Sequence, residues 1–251
     1  MKILITNDDG IFHPGMRALY NAVKPFGEIA IIAPDKERSG MSHSITLNES
    51  ITVNEVPILG QIGYACSGTP ADCVKLGLNK LLDSKPDLVV SGINKGSNTS
   101  QNIVYSGTVS AAVEGAFQGI KSIAVSIASL NPKEYFTGTK VTNSIISKLL
   151  EINFDYRTIM NINIPAIEYK KIKGVRITRQ GKTKYIDCYH QIKNQKDCFK
   201  LKGDLLLSRD HDGNDDHCVI DQYISLTPLK FELTDEVEYQ RFKFNENKFN
   251  L

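Results

Sequence analysis

At 251 residues and 41% hydrophobic content, the chain can bury one sizeable core, or a core plus an appendage. No stretch approaches the roughly 20 apolar residues of a bilayer span, and the first strand lacks the flank and cleavage site of a secretory signal, so a soluble, cytoplasmic protein without a membrane partner is expected. A formal net charge of +2 argues against a stable nucleic-acid partner, and five cysteines without a C-x-x-C pair suggest neither a disulfide framework nor a thiolate zinc site.

Residues 2–7 and 28–33 are short and Ile-rich, as strands buried in a parallel sheet tend to be, while 16–24 places apolar residues at helical spacing between them. After a loop at 34–45, residues 51–56 read as extended. Residues 70–82 read as a helix, with Thr69 as N-cap, Pro70 at its first position and Asp72 completing a capping pattern. Strand 87–92, a polar Gly/Asn/Ser loop, helix 108–119, strand 122–128, helix 139–151 and strand 158–164 continue the alternation. This pattern predicts an α/β, Rossmann-like fold: a mostly parallel sheet with helices on both faces and a binding crevice at the carboxyl ends of the strands.

Past Pro165 the character shifts. Residues 168–203 hold eleven Lys or Arg against three acids, which reads as hairpins with a basic face. An acidic stretch LSRDHDGNDDHCVID follows, then a strand in YISLTPL and a terminal helix capped by Thr234. The expected organisation is a catalytic core over 1–165, a β-rich extension over 166–229 that partly returns to the core, and a C-terminal arm over 230–251.

The first strand ends on Asp8-Asp9-Gly10. Two carboxylates about 4 Å apart repel by roughly 4 kcal/mol at an effective dielectric near 20, so a buried pair needs a cation or a proton. The alternative is that Asp8 caps the following helix and Asp9 is a solvated turn residue. Other loops at the same sheet edge offer Ser39 and His43, then Asn94 and Asn98, then Tyr105-Ser106-Gly107-Thr108. Asp, Ser and Asn are oxygen donors, which suit Mg²⁺, Mn²⁺ or Ca²⁺ better than zinc. With Ser39 and Asn94 neutral, a net positive field that attracts phosphate is expected once the carboxylates meet a dication. Ser106-Gly107-Thr108 at a helix start would supply backbone donors to an anion, whereas the similar Ser67-Gly68-Thr69 is read as structural.

Rival motifs fail on spacing. No P-loop or G-x-G-x-x-G is present, and the calcium-loop-like run from Asp210 has Asp215 where glycine is needed and Asp221 where glutamate is needed. His211 and His217 are read as exposed loop residues. His13 and His43 lie nearer the crevice, each able to act as an acid or to touch substrate.

Together these motifs resemble the SurE family of survival proteins, which are metal-dependent nucleoside monophosphate phosphatases. The resemblance rests on ILITNDDG (3–10), APDKERSGMSHSIT (33–46), GTPADCV (68–74), PDLVVSGINKGSN (86–98) and YSGTVSAAVEG (105–115), with NINIP (161–165), TRQG (178–181) and YISLTPL (223–229) as looser signatures. It implies Asp8, Asp9, Ser39 and Asn94 as ligands of one divalent cation, Mg²⁺ or Mn²⁺. It further implies Ser106, Gly107 and Thr108 as the phosphate loop. With Asn98 these three make the expected substrate-binding set, and Asp8, Asp9, Asn94 and Ser106 are the expected catalytic residues. The implied assembly is a homodimer or homotetramer that exchanges the C-terminal arm. The implied substrates are nucleoside 5′-monophosphates, with 3′-monophosphates and short polyphosphate as further candidates. Two other readings stay open: a haloacid-dehalogenase-like phosphatase, which needs Asp-x-Asp, and a non-catalytic nucleotide- or RNA-binding module using the basic appendage. The sequence is individual over 182–222.

Overall fold

The computed structural model describes residues 1–132, 135–193, 197–208 and 213–249. Its elements are β1 (Lys2–Thr6), α1 (Pro14–Val23), β2 (Glu28–Pro34), β3 (Val53–Ile58), β4 (Gln61–Cys66), α2 (Pro70–Leu76), β5 (Leu88–Lys95), α3 (Asn102–Tyr105), α4 (Gly107–Phe117), β6 (Lys121–Ile127), α5 (Phe136–Ile152), β7 (Ile159–Ile164), β8 (Val175–Ile177), β9 (Lys184–Gln191), β10 (Phe199–Leu206), α6 (Asp215–Ile220), β11 (Ile224–Leu229) and α7 (Glu236–Phe244).

Among the described residues, nine strands form one sheet in the order β3-β4-β2-β1-β5-β6-β7-β11-β8. From β4 to β7 neighbouring strands run parallel; β3 and β11 are antiparallel to β4 and β7. The expected α/β fold is thus observed. Alternation along each strand sends residues to opposite faces. Ile3 and Ile5 of β1, with Leu88 and Val90 of β5, join Met16, Leu19 and Val23 of α1 and Ile146 of α5 on one face. Leu4 and Val89 point the other way, against Cys73 and Val74 of α2 and Ala111 of α4. Both faces are covered, which is why β1 and β5 read as unbroken apolar runs.

Several boundaries differ from the sequence reading. The helix from Thr69 has the full capping box, Thr69 and Asp72 each accepting the other's backbone N–H, but its α-helical part ends at Leu76 and a π-helical turn runs over Gly77–Leu81. Asn79 Nδ2 donates to the Lys75 carbonyl at 2.7 Å there, a side-chain bond at the point where the regular ladder gives way. Strand β4 was not anticipated, because Gly63 interrupts its pattern. Its two-residue turn, Leu59 and Gly60 with φ of 52° and 83°, is the hairpin type that favours glycine. The terminal helix is capped by Asp235, not Thr234: the Asp235 carboxylate accepts from the Val237 and Glu238 amides at 3.1 Å each, and its charge favours that helix end.

Beyond β7, β8 and β11 extend the main sheet, whereas β9 and β10 form one separate antiparallel ribbon with Ile186, Tyr189, Phe199 and Leu201 exposed. Residues 210–212 of the calcium-loop-like run, including His211, lie outside the described residues. No helix among the described residues is long and apolar enough to cross a membrane.

Candidate active site

The corner where β1 ends is fixed by its own short hydrogen bonds. Asn7 Nδ2 donates to the Gly10 carbonyl at 2.9 Å, and the Gly10 N–H returns to Asn7 Oδ1 at 3.2 Å. Gly10 sits at φ +106°, a conformation that glycine adopts without a Cβ penalty. The turn leaves Asp8 and Asp9 only 4% and 8% exposed. The capping alternative therefore fails: His13 is the N-cap of α1, its Nδ1 accepting from the Gly15 amide at 3.2 Å, and Asp9 is not solvated.

Asp8 faces the start of α4. Thr108 Oγ1 donates to Asp8 Oδ1 at 2.6 Å. Burial pushes the Asp8 carboxyl up to about 6, against the pull of the Thr108 hydrogen bond, and the Asp9 charge adds to the rise. Gly107 makes the close approach possible, since a Cβ there would lie 2.8 Å from Asp8 Cβ and 3.0 Å from Asp8 Oδ2. Ser106 is the N-cap of α4, its Oγ accepting from the Val109 amide at 3.1 Å. The three residues of the expected phosphate loop thus stand against the acidic corner.

Asp9 has a cationic neighbour in Lys95. Lys95 Nζ lies 3.4 Å from Asp9 Oδ1 and 3.2 Å from Glu37 Oε1. The Lys95 amide reaches Asp9 Oδ2 at 3.4 Å. Oδ1 is buried yet accepts no hydrogen bond, so the ammonium serves it by charge alone. His13 Nδ1 is 3.5 Å from Asp9 Oδ2, but that nitrogen is occupied as a cap acceptor, and burial holds the imidazole below its usual range.

The loop after β2 is tied to this corner from both sides. The Arg38 amide donates to the Asp8 carbonyl at 2.7 Å, and the Arg38 side chain donates to the Ser67 carbonyl. Ser39, the next residue, donates from Oγ to Glu37 Oε1 at 2.8 Å, which places it one carboxylate away from Lys95 and Asp9. Further along, His43 Nε2 meets Glu114 Oε2 at 3.2 Å, and its ring stacks on Phe117 with centroids 5.4 Å apart. His43 is thus a tether between the loop and α4. Asn94 follows a register slip between Ser91 and Asn94 on β5, an irregularity of the kind that re-aims a side chain; its Nδ2 donates to the Gly96 carbonyl at 2.8 Å, leaving Oδ1 as a donor atom for a ligand.

Asn98 is engaged elsewhere. Its Nδ2 donates to Ser126 Oγ at 2.8 Å, its amide donates to Asn163 Oδ1 at 2.7 Å, and its carbonyl accepts from Asn161 and Asn163. This knits the loop after β5 to β6 and β7. His217 is buried, not exposed, with Nε2 at 2.9 Å from the Ser208 carbonyl.

Three supporting residues escaped the sequence reading. Glu114 is the lone acid on an otherwise small and apolar α4, which was its available signal. His43, Gln118 and Lys75 bind its carboxylate at 3.1–3.2 Å. These three overcome the opposing effect of burial and hold Glu114 down at about 2. Asp215 is fully buried and accepts from the Ser100, Gly181 and Asp216 amides, joining the loop after β5 to the extension. Lys95, at the end of β5, is the third.

The donor set fits a hard divalent cation: two adjacent buried carboxylates, one with an oxygen lacking any hydrogen bond, with the neutral oxygens of Asn94 near the end of β5 and Ser39 on the loop after β2 as further donors. Among the described residues no three His, Cys, Asp or Glu are grouped so as to hold a metal ion together, so an ion here would draw at most two ligands from such residues and take the rest from Ser, Asn or water.

The family model described as Survival protein SurE matches residues 3–187. The "5′-nucleotidase SurE" of Trichodesmium erythraeum is 40% identical, the alignment covering 100% of both chains. That of Thermosynechococcus vestitus is 41% identical over 93% of this chain and 92% of its own. The crystal structure of the SurE protein from Aquifex aeolicus superposes with a TM-score of 0.85 at 37% identity, covering 98% of this chain and 100% of that one. With the paired-aspartate corner, the tethered loop after β2 and the Ser-Gly-Thr helix start all in place on a matching fold, the chain belongs to the SurE family.

Proposed function

We propose that this protein is a 5′-nucleotidase, hydrolysing nucleoside 5′-monophosphates to nucleoside and phosphate with the help of one divalent cation. The observation that carries the reading is the Asp8–Thr108 contact, which sets a buried acidic corner directly against the N-terminus of α4, cation-binding and anion-binding chemistry side by side. The names of the full-length relatives support the activity.

Asp8, Asp9, Ser39 and Asn94 are the residues that would hold Mg²⁺ or Mn²⁺. Such an ion, when bound, polarises phosphoryl oxygens and lowers the pKa of water. The chain's own contribution is positional. The Thr108 hydroxyl fixes Asp8. Asp8 or Asp9 accepts the proton of the attacking water. Ser106 Oγ, with the amides of Gly107 and Thr108, donates to the phosphoryl oxygens as the water oxygen bonds to phosphorus, the phosphorus–ester bond breaks and the nucleoside oxygen takes the proton that the aspartate received. A cavity of about 420 Å³ along the same sheet edge, lined in part by Ser97, Asn102, Pro165 and Gln222, gives room for the nucleoside. Substrate breadth toward 3′-monophosphates and short polyphosphate, and assembly as a homodimer or homotetramer, belong to the same proposal.

The test is phosphate release from a panel of nucleoside monophosphates with Mg²⁺, Mn²⁺ or chelator. Metal-dependent turnover is expected, reduced to background by Asp9→Asn with the fold intact. A fully active Asp9→Asn variant overturns the assignment. AMP binding with metal but without phosphate release would favour the non-catalytic reading.

A further inference from the structure

Lys95 has a feature that the reaction scheme leaves unused. Its backbone is pinned by the amide contact to Asp9 Oδ2 at 3.4 Å, while its ammonium sits between two carboxylates of different character. Asp9 is buried and offers Oδ1 at 3.4 Å; Glu37 has a half-exposed side chain and lies at 3.2 Å. The Lys95 side chain is itself 28% exposed, so it has an open side toward solvent. A lysine ammonium is a compact charge on a flexible stem, able to change partners without moving the backbone.

Two charges compete for one oxygen here. Asp9 Oδ1, a candidate metal-ligating atom, is the atom that Lys95 now neutralises. A dication at Asp8 and Asp9 would repel the ammonium from Asp9 toward Glu37 and the open side. The charge count also changes the expectation drawn from the sequence. Two carboxylates and a dication cancel, so neutral ligands alone leave no net positive field for a phosphate. Glu37 balances the Lys95 charge while the two are paired, so the attraction comes from the N-terminus of α4 and from a displaced Lys95 that swings off Glu37 toward the anion.

We propose that Lys95 is the resident counter-ion of the acidic corner, competing with the divalent cation for Asp9 and, once displaced, contacting the phosphoryl group of the substrate. The second half rests on the phosphatase reading; the first does not. Metal affinity is therefore set partly by the cost of expelling an internal cation, and phosphate affinity partly by the cation expelled.

The test uses the full chain and two variants, Lys95→Met, which keeps length and loses charge, and Lys95→Arg, which keeps charge. Mn²⁺ binding without substrate, followed by electron paramagnetic resonance of the free ion, is expected to tighten by about tenfold in Lys95→Met and to stay within about threefold in Lys95→Arg. Inorganic phosphate binding to the Mn²⁺-loaded protein, followed by calorimetry, is expected to weaken by about tenfold in Lys95→Met. Unchanged or weaker Mn²⁺ binding in Lys95→Met, with a native circular dichroism spectrum, overturns the counter-ion role, and unchanged phosphate binding overturns the substrate contact. Lys95→Gln serves the same purpose if the Met variant does not fold. A protein that shows the Mn²⁺ effect but releases no phosphate from AMP keeps the counter-ion role and loses the phosphatase reading.

Discussion

Single atoms decide much of this site. Gly107 is required by space rather than by φ, because the Asp8 side chain occupies the volume that a Cβ would fill. Gly107→Ala is therefore expected to push Asp8 and α4 apart, costing about 1–3 kcal/mol of stability by overpacking and on the order of 100-fold in kcat. Thermal unfolding and steady-state phosphate release check the two effects separately. Glu114 gives a pH-dependent case. Its carboxyl is held at about 2 in the folded protein against an ordinary value of 4.5, so the native state binds fewer protons than the unfolded state between those values. The stabilisation is fully present above about pH 4.5 and is lost as pH falls through about 2. Glu114→Gln is expected to cost about 2–3 kcal/mol at pH 7, with the gap from wild type closing over that acid window in denaturant titrations.

Elements carry these atoms to one place by tethers. The loop after β2 is bound to β1 through the Arg38 amide, to α3 through Ser42, whose Oγ donates to the Val104 carbonyl at 2.7 Å, and to α4 through His43. The loop after β5 is held from below by Asn98 and from the extension by Asp215, with Gln180 Nε2 donating to the Ser100 carbonyl at 3.0 Å. Asp215→Ala leaves the Ser100 and Gly181 amides without their buried acceptor, an expected loss of about 3 kcal/mol. The same variant is expected to raise KM more than it lowers kcat, because the loop lines the cavity proposed for the nucleoside. Urea unfolding and Michaelis kinetics measure the pair. Short elements were the ones least legible in the sequence. Helix α6 spans six residues, too few for periodicity, and its acids looked like a failed calcium loop when Asp215 is in fact a buried clamp.

At the scale of the molecule, α7 has no buried residue, and Leu233, Val237 and Phe244 are 94%, 78% and 90% exposed. A charged arm that leaves these few apolar side chains in solvent would gain burial from a second copy of the chain. Light scattering after size exclusion is expected to give a dimer or larger for the full chain, and a smaller species when residues 230–251 are removed. The sequence by itself determined the strand–helix alternation, because strands buried on both faces must be apolar throughout, and it determined the chemistry at the strand ends, because adjacent carboxylates at a sheet edge demand compensation. Asp8 and Asp9 were legible as a buried pair for that reason. Only the tertiary structure decided which residues support them. Glu114 faces His43 across 71 positions, and Asp215 reaches Ser100 across 115. No local pattern encodes such pairs; they exist only once both helix layers have closed on the sheet and buried charges must find partners.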